Sequence, residues 1–287
     1  MRWSLVPPVL ALLLTASFVA RAGDDEEPPP QKASQGPPPP ASATVTSVYD
    51  GDTLTLSTGD KVRLKWVNTP EIRPPEQYAV EAREAAKAFV SGKTVKLQYG
   101  DTVRDGYGRL IAGVEVEGRS LSEHLLELGL GHLFVIPPDE TDHAALIAAQ
   151  ERARKARRGI WSTPEFQGVL HMTSFHANAD GDDRENVNGE YLRVCNVSSE
   201  TQDLSGFRIA DISGNSWEFP KLLLPPGNTV KIHSGTGAHQ QDPNDQLAIY
   251  LGSASPIWNN KQDRATIYDR FGRIVDAREH SVQQETP

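Results

Sequence analysis

The sequence predicts a mainly β chain with helices: a five-stranded barrel of the OB type with three helices, followed by a β-sandwich. Three observations predict it. Short alternating strands separated by Asp-Gly and Gly-Asp turns fill residues 43–67. Helical patterns then interleave with further strands as far as residue 162. Beyond residue 169, short strands follow one another between turns rich in Gly, Asn, Asp and Pro, with no helix.

Residues 1–22 read as a signal peptide. Arg2 precedes an apolar run over 5–20, and Ala20-Arg21-Ala22 is a small-x-small cleavage site before Gly23. Cleavage is expected after Ala22, giving a secreted, periplasmic or cell-surface protein. The run is short for a bilayer span, so the mature chain is expected to have no stable one. Residues 23–41 hold Asp24-Asp25-Glu26-Glu27 and two proline runs, an acidic, Pro-rich linker predicted to be disordered.

The first domain is placed at 42–162. Strands over 44–48 and 53–56 flank Asp50-Gly51-Asp52, and a third covers 62–67 after the turn Thr58-Gly59-Asp60. Ala79, Ala82, Ala86 and Phe89 give residues 76–90 a helical period. Strands follow at 94–99 and 110–116. Ser120, with Glu123 three residues on, is an N-cap for a helix ending at Gly129. A third helix over 141–158 stops at Gly159. Residues 163–168 form a linker, and the sandwich occupies 169–280. Its strands are expected at 170–175, 190–196, 207–210, 216–219, 229–233, 246–251, 265–268 and 274–275. Residues 281–287 are a disordered tail.

Net charge is −9 for 287 residues, which argues against a nucleic-acid binder until the charge is divided by segment. Residues 41–162 carry 16 Lys+Arg against 17 Asp+Glu, whereas residues 163–287 carry 10 against 17. The first domain is near neutral and its local basic groups can still serve a polyanion. The second is a poor partner for phosphate. The single Cys195 excludes an internal disulfide and reads as a buried thiol. Asn196-Val197-Ser198 is a formal glycosylation sequon.

The chemistry gathers around residues 62–71. Pro70 holds Thr69 extended, so Glu71 leaves the strand on a short, stiff turn. Arg63, Asn68, the Thr69 carbonyl and Glu71 therefore share one strand end. That set can grip a phosphate, ligate a cation and activate a water. The basic cluster Arg152, Arg154, Lys155, Arg157 and Arg158 complements the third helix's C-terminal dipole.

Four motifs in order carry a resemblance: Tyr49-Asp50-Gly51-Asp52-Thr53; Arg63-Leu64 with Asn68-Thr69-Pro70-Glu71; Asp105-Gly106-Tyr107-Gly108-Arg109; and Gly159-Ile160-Trp161-Ser162. Residues 43–162 resemble a staphylococcal nuclease (thermonuclease) domain. Residues from about 166 to 280 resemble a lamin tail domain, through Asn188-Gly189-Glu190-Tyr191, Asp203-Leu204-Ser205-Gly206-Phe207, Leu224-Pro225-Pro226-Gly227 and Trp258-Asn259-Asn260. The second resemblance implies an immunoglobulin-like sandwich with an accessory role and a protein or surface partner.

The first implies a calcium-dependent hydrolase of phosphodiester bonds in DNA and RNA, which the signal peptide makes an exported one. It assigns Arg63 and Arg109 as phosphate clamps, Glu71 as general base, and Asp52, Asn68 and the Thr69 carbonyl as Ca2+ ligands. The family usually has a carboxylate at the position of Asn68, so weaker calcium binding is expected here. Tyr107 and Phe134 are the substrate-binding candidates, Phe134 standing where relatives can carry tyrosine. Asp105 orients the Arg109 loop or only forms its turn; Asp50 supports the metal or only shapes the Asp-Gly turn. The alternative reading is a binding or adhesion protein that has kept the nuclease fold and lost useful turnover.

Overall fold

The computed structural model describes residues 38–281. The expected signal peptide, most of the linker and residues 282–287 lie outside them. The first described residues are already tied to the barrel. Tyr99 Oη donates to the Pro40 carbonyl at 2.8 Å, and Leu97 N–H to the Ala41 carbonyl at 2.9 Å.

Five strands make the barrel: β1 (Ser42–Val48), β2 (Thr53–Leu56), β3 (Lys61–Leu64), β4 (Thr94–Gln98) and β5 (Leu110–Val116). Their order is β3-β2-β1-β4-β5, and parallel pairing of β3 with β5 closes it. Alternation places Val45, Leu54, Leu56, Val62, Leu64, Val95, Ala112 and Val114 inside. The opposite side chains of β2 and β3, Thr53, Thr55, Lys61 and Arg63, point outward on one face.

Helix α1 (Ala79–Val90) is shorter than the predicted 76–90, because Tyr78 takes a left-handed conformation with no side-chain cap. A two-residue strand, β6 (Arg119–Ser120), leads into α2 (Leu121–Leu128). Ser120 Oγ accepts from Glu123 N–H at 3.2 Å and Gly129 closes the helix, as the capping pattern predicts. Helix α3 (Ala144–Lys155) is three residues shorter at each end than the predicted 141–158.

The second unit is built from β7 (Leu170–His176), β8 (Tyr191–Asn196), β9 (Gln202–Asp203), β10 (Arg208–Ala210), β11 (Ser216–Glu218), β12 (Leu223–Leu224), β13 (Thr229–His233), β14 (Leu247–Tyr250), β15 (Gln262–Tyr268) and β16 (Ile274–Ser281). Two four-stranded sheets, β14-β13-β8-β7 and β11-β10-β15-β16, enclose Met172, Leu192, Val194, Ile209, Val230, Ile249, Trp258 and Ile267. The last strand runs well beyond the predicted 274–275. Its ladder with β15 reaches Ser281, which therefore does not belong to a disordered tail.

The two units share a small core. Ala153, Ile160 and Trp161 of the first pack with Cys195 and Val197 of the second, joined by Phe134 and Phe166. Gln150, buried on α3, accepts from Leu133 N–H at 2.6 Å and donates to the Val197 carbonyl at 3.1 Å. Cys195 is free and fully buried, and burial pushes its thiol well above the usual cysteine range, away from the reactive thiolate. Asn196 is also buried, its amide donating to the Glu200 and Leu224 carbonyls, so the folded chain does not present the sequon.

One buried carboxyl on β16 yields a prediction. Burial raises Asp276 to about 6, despite a hydrogen bond from Met172 N–H and the nearby Arg278 charge. Unfolded, it ionises near 4; folded, only near 6. Its charge therefore burdens the folded state increasingly from pH 4 to 6 and fully above. Asp276→Asn keeps an acceptor for Met172 and removes that charge. It is expected to raise unfolding free energy by roughly 1–3 kcal/mol at pH 8 and hardly at all at pH 4. Denaturant unfolding at both values checks this; an equal gain at both would show that the charge is not the cause.

Candidate active site

The Asp50-Gly51-Asp52 turn sets the floor of the site. Asp50 Oδ1 accepts from Asp52 N–H at 3.1 Å and Thr53 N–H at 2.6 Å, an Asx-type closure. Gly51 is required by close approach: a Cβ there would lie 2.7 Å from the Thr69 side chain and 2.9 Å from Ala82. The turn is thus pressed against the segment that leaves β3. Asp52 Oδ2 receives the Thr69 N–H at 2.8 Å and the Thr69 hydroxyl at 3.0 Å.

Arg63, on β3 opposite Thr53, faces this turn. Its Nη1 lies 2.8 Å from Asp52 Oδ2 and donates to the Val67 carbonyl at 3.0 Å; its Nη2 donates to Asn68 Oδ1 at 2.7 Å. The predicted strand ended at residue 67, but β3 ends at Leu64 and Trp66 has φ 66°. That early break curls residues 65–68 back so that Val67 and Asn68 can meet the guanidinium.

Glu71 sits in a turn of its own. Its N–H donates to Glu76 Oε2 at 3.0 Å, and its carbonyl accepts from Glu76 N–H at 2.9 Å. Arg109 is held by Asp105, which accepts the Arg109 Nε–H at 2.6 Å on one oxygen and the Tyr107 and Arg109 N–H groups on the other. The Arg109 guanidinium lies 5.3 Å from the Tyr107 ring centroid.

Asp50, Asp52, Arg63, Glu71 and Arg109 line one cleft of about 380 Å³. Asp50 and Asp52 are 4% and 2% exposed. Burial, then the Asp52 charge, raises Asp50 to about 7, with Arg63 opposing. A second cleft of about 400 Å³ lies at the junction of the units. Its lining, including Glu165, Gly168 and Asp276, contains no cationic side chain to receive a phosphate.

The other predicted residues divide. Thr69 and Asp105 stand behind the cleft, bonded to Asp52 and Arg109. Tyr107 is half exposed beside Arg109. Asn68 does not line the cleft; its oxygen faces Arg63 and its amide nitrogen lies 3.4 Å from His132 Nε2. Phe134 is displaced from its expected place at the substrate: its ring belongs to the shared core between the units, because its backbone runs alongside Trp66 towards Gly227. Arg152, Arg154 and Arg158 are engaged by Glu127 and the Gly168 carbonyl, away from the cleft. Among the lining residues not named as site candidates from the sequence are Tyr49, 54% exposed, and Lys61. Their signal was available, since Tyr49 abuts the Asp-Gly-Asp turn and Lys61 shares the strand face of Arg63.

A model of the staphylococcal nuclease homologue family matches residues 61–163, and a model of the lamin tail domain matches residues 166–281. The thermonuclease of Staphylococcus hyicus is 30% identical over 125 residues, covering 41% of this chain and 74% of the relative. The chain belongs to the staphylococcal nuclease family. Other relatives are the thermonuclease of Staphylococcus intermedius, 30% identical over 42% of this chain and 76% of its own length, and endonuclease YncB of Bacillus subtilis (strain 168), 32% identical over 42% and 62%. At the level of the family, the barrel is a nuclease domain, a phosphodiester hydrolase, and the sandwich after it is a lamin tail domain. The nuclease model begins at β3, yet β2 pairs with β3 and β1 with β2, and the turn between β1 and β2 supplies Asp50 and Asp52, so the cleft needs residues outside the matched span.

Proposed function

We propose that this chain is an exported, calcium-dependent nuclease that hydrolyses phosphodiester bonds of DNA and RNA, with the lamin tail domain as its accessory. The convergence of Arg63, Glu71 and Arg109 on one cleft floored by two buried acids carries the reading. Attack on a phosphodiester requires that the anion be masked, a water deprotonated and the added charge on phosphorus stabilised. Two guanidinium groups suit the first and third needs, since each can present paired N–H donors to phosphate oxygens. Glu71, on a turn closed by Glu76, is the group placed to take the proton. Tyr107 and Tyr49 flank the cleft with exposed rings on which bases can stack.

The residues fit a hard cation. Asp50 and Asp52 are paired, nearly buried carboxylates, and the upward displacement of Asp50 is the strain a divalent ion relieves. Asp52, Asp50 and the Thr69 carbonyl would hold it. Asn68, engaged by Arg63, contributes through the guanidinium and adds no charge to the site. When bound, calcium supplies positive charge at the phosphate and a place for the attacking water.

Cleavage of single-stranded DNA with calcium, and its loss on chelation with EGTA, is the expected result for the purified chain. Absence of calcium-dependent cleavage at micromolar enzyme would favour the binding-protein reading, for which the neutral, engaged Asn68 is the specific observation. Export rests on the sequence of residues 1–22 alone, and secretion of the full-length chain with loss of those residues tests it.

A further inference from the structure

We propose that the lamin tail domain is part of the catalytic apparatus: through His132 and Arg278 it positions the residues that carry Arg63 and Glu71. The inference rests on the nuclease reading and extends it to the sandwich.

His132 is 1% exposed and stands between the two units. On one side its backbone pairs with Asn68 in both directions at 2.9 Å, and its Nε2 meets the Asn68 amide nitrogen at 3.4 Å. On the other side its ring lies 5.8 Å from the rings of both His171 and Phe166, and Cys195 Sγ is 3.8 Å from Nδ1. The following residues are clamped to the sandwich as well. Val135 N–H donates to the Gly227 carbonyl at 2.8 Å, and a Cβ at Gly227, whose φ is 73°, would fall 2.5 Å from Leu133 Cγ.

The chemistry of the ring explains what this contact does. Nδ1 lies 3.0 Å from the Leu133 carbonyl, which can only accept, so Nδ1 carries the proton. Asn68 Oδ1 accepts from Arg63 Nη2, so an N–H of the Asn68 amide is what faces the imidazole. Its Nε2 is then an acceptor, and only an amide can offer it a donor while turning an oxygen towards Arg63. A neutral His132 thus fixes which way Asn68 points, and Asn68 Oδ1 fixes Arg63 Nη2. An aspartate at 68 would set a carboxylate against the Nε2 lone pair. The asparagine is matched to the histidine, and the histidine is seated by the second domain.

A second strut reaches the other end of the same segment. Arg278 on β16 donates to the Met172 and Thr173 carbonyls at 2.7 and 3.1 Å, which anchors its guanidinium to the sandwich. Its Nη2 reaches Glu76 Oε1 at 3.5 Å, and the other oxygen of Glu76 holds Glu71 N–H. Residues 68–76 are thus held at one end by His132, itself seated against the sandwich, and at the Glu71–Glu76 turn by Arg278 of the sandwich.

The test compares His132→Leu, His132→Gln and Asn68→Ala, the double variant His132→Leu/Asn68→Ala, and Arg278→Ala, each in the full chain with calcium and single-stranded DNA. His132→Leu is expected to lower kcat about tenfold with KM within twofold, because the ground-state contacts to substrate are untouched. His132→Gln, whose amide can meet Asn68, should recover most of the loss. In the Asn68→Ala background, His132→Leu should cost nothing more, since its effect passes through Asn68. Arg278→Ala should lower kcat two- to fivefold. Multiplying losses in the double variant, or equal loss in the leucine and glutamine variants, would overturn the first strut; wild-type kcat in Arg278→Ala would overturn the second. Hydrogen exchange of the Asn68 side-chain amide, followed by NMR, gives a readout independent of turnover. It should quicken at least tenfold in His132→Leu and not in His132→Gln, and unchanged exchange would reject the positioning role. If the wild type fails to cleave while the exchange behaves as expected, the nuclease reading falls and the interdomain coupling stands.

Discussion

Arg63→Lys is expected to lower kcat/KM on single-stranded DNA by about 100- to 1,000-fold, the usual cost of losing one preorganised donor to a developing anion. Charge is conserved in this change, so geometry alone is tested. The Arg63 fork meets three acceptors, Asp52 Oδ2 and the Val67 carbonyl through Nη1 and Asn68 Oδ1 through Nη2. An ammonium is a compact point charge on a flexible stem and cannot satisfy all three while presenting paired donors to phosphate. Arg63 is only partly buried, and β3 keeps its core residues Val62 and Leu64, so the fold is expected to survive. Unfolding midpoints of the two proteins should agree within a few degrees. A variant that retains more than a fifth of wild-type kcat/KM would remove Arg63 from the clamp.

The parts of this molecule that the sequence disclosed are those fixed by neighbours in the chain. The Asp50-Gly51-Asp52 turn closes on its own amides, and Ser120 with Gly129 bounds α2 through bonds three or four residues long. Arg63 and Glu71 could be placed together because Pro70 stiffens the path between them. What stayed hidden was decided at long range. Trp66 leaves the predicted strand because its Nε1–H donates to Asp139, 73 residues on, and Lys65 pairs with the same carboxylate at 3.1 Å. Asn68 was expected to face a cation; its amide is oriented by His132, 64 residues away, whose tautomer no periodicity reveals. Phe134 was assigned to the substrate by resemblance alone, but it packs on the small core that Ala153, Ile160 and Trp161 share with Cys195 and Val197 of the second domain. Strands β9 and β12 have two residues each and carry too little alternation to register. In each case the deciding contact crosses between elements or between domains.

Glu71→Gln is expected to lower kcat about 100- to 10,000-fold, the range for removing a positioned proton acceptor. The substitution preserves volume and the backbone bonds that shape the turn, because Glu71 engages Glu76 through its own N–H and carbonyl. KM should therefore stay within about threefold, since the two guanidinium groups that would grip substrate are unchanged. Calcium binding, measured by titration calorimetry, should also be little altered if the cation rests on Asp50, Asp52 and the Thr69 carbonyl. The three outcomes separate the roles open to this carboxylate. A parallel fall in calcium affinity would make Glu71 a ligand, a rise in KM with kcat preserved would make it a substrate contact, and a fall in kcat alone leaves proton removal from water as its task. The combination matters because Glu71 lies within one cleft with both acids and both arginines, where proximity by itself does not distinguish a base from a ligand.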